Sequence, residues 1–104
     1  MRSIAAFLIL SVASVASLAE PVAARRAELL HLVKQDCGSC HGLSMRGGLG
    51  PSLEPATFAG KDAVQMRLVI LHGRRGTAMP PWKAHLTEPE AAWIVEQLSK
   101  GLPR

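Results

Sequence analysis

The sequence predicts a small all-α domain of about three main helices. Three observations carry this prediction. Helix start and stop signals recur three times along the chain, no alternating strand pattern of useful length appears, and Gly and Pro concentrate between the helical stretches. With 104 residues there is room for one such domain and little else. The 48% hydrophobic content argues against a disordered chain, and two Cys cannot make a dense disulfide scaffold. The formal charge of +4 does not point to nucleic acid, because no Lys/Arg run exceeds two residues and only two Phe and two Trp could stack on bases.

The first segment, residues 1–19, reads as a secretory signal peptide. Arg2 precedes seventeen uncharged residues, Ser3 to Ala19, with the apolar run Ile4 to Leu10 near the front and the small-residue exit Ser17-Leu18-Ala19 before Glu20-Pro21. An uncleaved anchor is the rival reading. Seventeen residues interrupted by Ser11, Ser14 and Ser17 are short against the ~20 that a spanning helix needs. Cleavage after Ala19 predicts a periplasmic protein with no stable membrane insertion and a domain at residues 20–104. That domain keeps 11 Lys+Arg and 8 Asp+Glu, with Phe58, Trp82 and Trp93 as its aromatics. A chain of this size buries only about 60–65% of its unfolded surface and usually needs a staple, for which a large apolar cofactor would serve.

The first helix starts at Pro21, where a missing N–H costs nothing, and Leu29, Leu32 and Val33 form its i, i+3, i+4 stripe. It is expected to run to about Asp36 and stop near Gly38. The second spans about Lys61 to His72, with Val64, Leu68 and Leu71 on one face and Gly73 as its stop. The third begins at the capping box Thr87-Glu88-Pro89-Glu90, continues through Ala91, Ile94, Val95 and Leu98, and ends at Gly101. Gly42 to Gly60 and Arg74 to Leu86 are expected to be irregular.

The chemistry is concentrated in Cys37-Gly38-Ser39-Cys40-His41. Two thiols three positions apart with His directly after them is the attachment pattern of c-type haem. Thiols on one turn reach the two vinyl groups of the macrocycle as thioethers, and the next residue comes beneath the iron. A thioredoxin-like redox pair would need a βαβ setting, and a structural zinc site would need four ligands rather than three crowded ones. For the second iron ligand the sequence offers Met79, 38 residues after His41, in a loop that Pro80 biases towards extended backbone. A soft thioether favours Fe(II) and suits electron transfer. Met45 is too near His41 to reach the other face, and Met66 sits on a helix as core filler. His72 and His85 are the competitors, since imidazole also binds iron.

With these residues in view the chain resembles a small class I cytochrome c over residues 21–100. The matching pieces are Cys37 to His41, Gly50-Pro51-Ser52-Leu53, Thr77-Ala78-Met79-Pro80-Pro81-Trp82 and a final amphipathic helix carrying Trp93. Gly47-Gly48-Leu49-Gly50-Pro51 and Gly76 to Trp82 are most similar to the cytochrome c-55X group, monohaem periplasmic proteins associated with the haem c/haem d1 nitrite reductase of denitrification. The resemblance implies the class I cytochrome c fold around one covalent haem c, ligated by His41 and Met79 and attached at Cys37 and Cys40. It also implies a Pro51 carbonyl accepting the Nδ1–H of the ligating His, against the alternative of an ordinary Gly-Pro turn, and Trp93 in the core with Leu29, Leu32, Ile94 and Leu98. For Trp82, contact with a haem edge or propionate and simple core packing both stay open. In such a cytochrome Arg46, Lys61, Arg74, Arg75 and Lys83 would rim the haem-facing loops and steer an acidic partner, or form an ordinary solvated surface.

Three functions follow as expectations. The first is a non-enzymatic one-electron carrier for nitrite reductase. The second is an enzyme or sensor with an open iron position, for which no distal acid–base pair is evident. The third is an accessory protein of haem d1 assembly that binds the tetrapyrrole, through His72 or His85, or passes electrons to a maturation enzyme.

Overall fold

Val22 is extended, and from Ala23 the chain turns helical without a side-chain cap. The computed structural model describes residues 20–103; the expected signal peptide, residues 1–19, lies outside them. Helix α1, Ala23–Leu32, passes directly into one π-helical stretch, Val33–Cys37, and then into the short helix α2, Gly38–His41. The helix therefore does not stop near Gly38, as expected from a glycine at its end. Gly38 has ordinary helical dihedrals, φ −63° and ψ −26°, and is buried. A Cβ there would meet the Met45 Cε at 3.2 Å. That glycine serves close packing, and the stop falls at Gly42, whose φ is 90°. A π-helical stretch inside a helix often marks a functional segment, and here it ends on Cys37.

Residues 42–60, expected to be irregular throughout, hold a four-residue helix α3, Pro55–Phe58, with Pro at its first turn. Helix α4, Ala63–His72, starts two residues later than Lys61 because the Asp62 side chain caps it by accepting from Val64 N–H. Its expected apolar stripe is only partly buried. Leu71 is in the core, whereas Val64 is 45% exposed. Helix α5, Glu88–Lys100, opens on the capping box, with Thr87 accepting from Glu90 N–H and the Glu90 carboxylate accepting from Thr87 N–H. It ends at Gly101. No strand occurs among the described residues.

The core lies between α1, α4 and α5. Leu29, Val33, Ala91, Trp93, Ile94 and Leu98 are its buried members, joined by Met45, Leu71 and Leu86. Leu32, expected there too, is half-buried. Arg25 fastens α1 to the start of α5, donating to the Glu90 carboxylate and to the His85 carbonyl while also pairing with Glu28. These contacts raise the pKa of Arg25 and lower that of Glu90 to about 2, chiefly through the shared hydrogen bond. Among the described residues no helix is long and apolar enough to cross a membrane.

Candidate haem site

Two loops carry the candidate chemistry, and each is tied to the end of a helix. The last carbonyls of a helix have no partner within it. At the end of α2 those of Cys40 and His41 accept from Gly50 N–H and Gly47 N–H, both at 2.7 Å. This folds residues 42–50 back under His41. The fold is possible because glycines line the contact: a Cβ at Gly42 would lie 2.6 Å from the Gly47 carbonyl oxygen, at Gly48 2.9 Å from that of Cys40, and at Gly50 2.9 Å from the His41 ring.

Next to Gly50, the Pro51 carbonyl oxygen lies 2.7 Å from His41 Nδ1. A carbonyl can only accept, so Nδ1 carries the proton and donates, which leaves the Nε2 lone pair free for a metal. Cys37 and Cys40 stand on the same turn as free thiols. Burial, with Asp36 beside it, pushes the Cys37 thiol up to about 11 and keeps it protonated. Ser39, between the two cysteines, donates its hydroxyl to the Asp36 carbonyl at 2.7 Å and tightens the turn. Cys37, Leu53, Phe58, Ile70 and Trp82 pack half-buried against the core.

Met79 sits in the second loop, between α4 and α5. At the end of α4 the carbonyls of Val69, Ile70 and Leu71 accept from Gly73, Trp82 and Lys83 N–H at 2.8, 3.0 and 3.2 Å. Met79 itself is held through its backbone, its N–H donating to Thr77 Oγ1 and its carbonyl accepting from Arg74 N–H, each at 3.3 Å. The Thr77 hydroxyl in turn donates to the Arg74 carbonyl at 2.8 Å.

Trp82 is half-buried with its ring centroid 5.9 Å from that of His85. Together with Arg25, Leu32 and Asp36 they line a cleft of about 340 Å³. His72 is exposed at the last position of α4. Arg46 pairs with Glu54 at 3.5 Å, whereas Lys61, Arg74, Arg75 and Lys83 are exposed and no carboxylate lies within 4.0 Å of them among the described residues.

The arrangement fits a covalently held tetrapyrrole. It offers two thiols on one turn, an imidazole with a fixed tautomer, a glycine cradle that any Cβ would fill, and apolar flanks. Sequence reasoning missed several residues that build it. Met45 is 6% exposed, has φ 61°, and its carbonyl accepts from Leu53 N–H and Ser52 Oγ. Nothing local in the sequence marks this role. Gly50, Gly73 and Thr77 belong to motifs already noted, but their close contacts are tertiary.

Comparison with known proteins agrees with this geometry. Residues 24–97 match the family model for cytochrome C oxidase, cbb3-type, subunit III. The chain is 52% identical to the cytochrome c55X of Paracoccus denitrificans (strain Pd 1222), covering 91% of this chain and 92% of the relative. Among solved structures, the c-type cytochrome NirC superposes with a TM-score of 0.77 at 48% identity, covering 79% of this chain and 96% of that one. Dihydro-heme d1 dehydrogenase NirN in complex with DHE superposes with a TM-score of 0.63 at 38% identity, over 71% of this chain but only 16% of the enzyme.

Proposed function

The chain belongs to the c-type cytochromes, within the cytochrome c55X group, and from that premise we propose that it is a periplasmic carrier of single electrons. Haem c would be joined to Cys37 and Cys40, and His41 and Met79 are the residues that would hold its iron. Bound haem c supplies a one-electron iron couple. The chain's own residues set the terms on which it works. Cys37, at the end of the π-helical stretch, and Cys40, on α2, would fix the macrocycle, and the Gly42–Gly50 loop keeps His41 from turning. Met79 closes the other side with a soft ligand that favours Fe(II), which suits a carrier rather than a catalyst.

The single observation that carries this reading is the 2.7 Å approach of His41 Nδ1 to the Pro51 carbonyl. It fixes the tautomer, orients the ring and raises the basicity of Nε2, as the partner of a metal-ligating histidine does. The test is the spectrum of the purified holoprotein. A low-spin ferrous form that binds CO slowly, with a sulfur-to-iron absorption band in the ferric form, is the expected result. Rapid CO binding means an open iron position and rejects the carrier reading.

Likeness to the dehydrogenase favours a second, narrower reading of the partner. Oxidation of a dihydro-haem releases two electrons and a monohaem carrier takes one, so each turnover would load two copies of this chain. The partner is then an enzyme of haem d1 maturation rather than nitrite reductase itself. Stopped-flow mixing of the ferric carrier with each enzyme separates them by rate. Titration with haem d1 tests whether the carrier binds the tetrapyrrole directly, through His85 in the Trp82 cleft or through His72.

A further inference from the structure

Gly73 closes α4 and opens the loop that carries Met79. Its backbone lies at φ 69° and ψ −172°, a region that essentially only glycine occupies. A Cβ built there would lie 2.6 Å from the Met79 carbonyl oxygen, 2.9 Å from the Pro80 carbonyl carbon and 3.0 Å from Pro81 N. All three are backbone atoms, so no rotamer change relieves the clash. On either side of this contact the loop is pinned: Gly73 N–H donates to Val69, and Trp82 and Lys83 N–H donate to Ile70 and Leu71. The segments entering and leaving the loop therefore meet at Gly73, with no room between them for a side chain.

Gly76, three residues on, supplies the contrast. It too has a positive φ, 74°, but nothing lies within 4 Å of a Cβ built on it. The two glycines thus separate two physical demands. Gly76 is required by a turn, and Gly73 is required by a turn and by the approach of the Met79 backbone.

We propose that Gly73 is the positioning residue of the second iron ligand: the absence of a side chain there holds the Met79 loop shut against α4. The proposal rests on the reading of Met79 as that ligand. Any residue larger than glycine pushes the Met79 carbonyl away from Arg74 N–H and shifts the loop towards an open form. In that form the iron side opposite His41 is accessible to small molecules.

The test compares the holoproteins of wild type, Gly73→Ala and Gly76→Ala. The wild type and Gly76→Ala are expected to keep the ferric sulfur band and slow CO binding. Gly73→Ala is expected to lose the band in whole or part and to bind CO at least about tenfold faster, a population shift towards the open loop. If Gly73→Ala keeps the band and binds CO no faster than Gly76→Ala, the proposal is overturned. A second measurement needs no variant to fold. In the wild-type holoprotein the Trp82 and Lys83 amides should be protected from hydrogen exchange as well as those of α4, and exchange at the rate of Gly76 would overturn it. A wild type without the sulfur band ends the Met79 reading itself, and this inference with it.

Discussion

The His41 loop and the Met79 loop use the same device and differ in how tightly they apply it. Both return to a helix end and satisfy its last carbonyls. Under His41, three glycines, Gly42, Gly48 and Gly50, stand where a Cβ would come within 2.9 Å of backbone or ring atoms. Around Met79 only Gly73 makes such a contact, and Thr77 supplies the remaining fastening through its hydroxyl. One side is built by close packing of backbone and ring at three glycines, the other by one close contact and a few hydrogen bonds at an exposed surface. The difference suits the proposed site, with haem attached beside His41 and Met79 as the weaker ligand.

Breaking the tight side should have the largest effect. In Gly50→Ala the new methyl group lies 2.9 Å from His41 Cε1 and Nδ1, so the ring must turn or the loop must shift, and the Nδ1 bond to Pro51 is disturbed either way. Overpacking of this kind costs about 1–3 kcal/mol, and losing the Nδ1 bond adds about 1 kcal/mol. Thermal unfolding of the holoprotein measures it. Gly60→Ala is the gauge, since its φ is 73° with nothing within 4 Å. A Gly50→Ala protein no less stable than Gly60→Ala would remove the basis for calling this side rigid.

On the looser side, Thr77→Val removes the bond to the Arg74 carbonyl and the acceptor for Met79 N–H. Two exposed hydrogen bonds of this type contribute about 1–2 kcal/mol together, and the loss should stay local. Faster amide exchange at Thr77 to Met79 and faster CO binding are expected, with a smaller change in melting temperature than Gly50→Ala causes. A melting temperature that falls as far would show that the Met79 loop is part of the global unfolding unit.

The parts of this comparison differ in how legible they were. Cys37 to His41 and the Thr87–Glu90 capping box could be read directly, because each is a rule about residues within one turn. Gly38 misled, because a glycine that ends a helix and one that admits a Met45 methyl group look the same in sequence. Val64 misled for the opposite reason: spacing places it on a face with Leu71, but only packing decides how much of that face is covered. The glycines of the 42–50 loop hinted at close approach without saying to what. Positive charge near both loops was also visible, but the pairing of Arg46 with Glu54 was not.

The frame that both loops share gives a smaller, pH-dependent effect. Glu90 titrates at about 2 in the folded protein, held down by Arg25 and by the Thr87 N–H and hydroxyl. A carboxylate with a depressed folded pKa contributes stability that is fully present above its ordinary value near 4.5 and is lost as pH falls towards 2. Melting temperature should therefore drop across that window in the wild type, and Glu90→Gln should flatten this part of the profile. The ferric sulfur band of Glu90→Gln at neutral pH should be unchanged, because Glu90 meets the Met79 loop only at its last residue, Thr87. A band that weakens would couple the Met79 side to the α1–α5 junction.

Charge should distinguish the two loops by the smallest margin. Arg46 on the His41 side is neutralised by Glu54 at 3.5 Å. Residues 63–87 contain no Asp or Glu, and among the described residues no carboxylate lies within 4.0 Å of Arg74, Arg75 or Lys83. Steering depends on charge placement as well as on total charge. Association of the protein with either proposed partner, nitrite reductase or a haem d1 maturation enzyme, followed by stopped flow at low salt, should slow about two- to fivefold for Arg74→Ala, Arg75→Ala or Lys83→Ala. Arg46→Ala removes the same formal charge and changes the field by as much, but on the His41 side, so docking at the Met79 side gives it the smaller effect. Added salt should bring all four variants towards the wild-type rate, since exposed charges are screened within about 10 Å at 0.1 M. An Arg46→Ala rate as slow as that of Arg74→Ala would mean that net charge alone governs encounter, and that the partner does not favour the Met79 side.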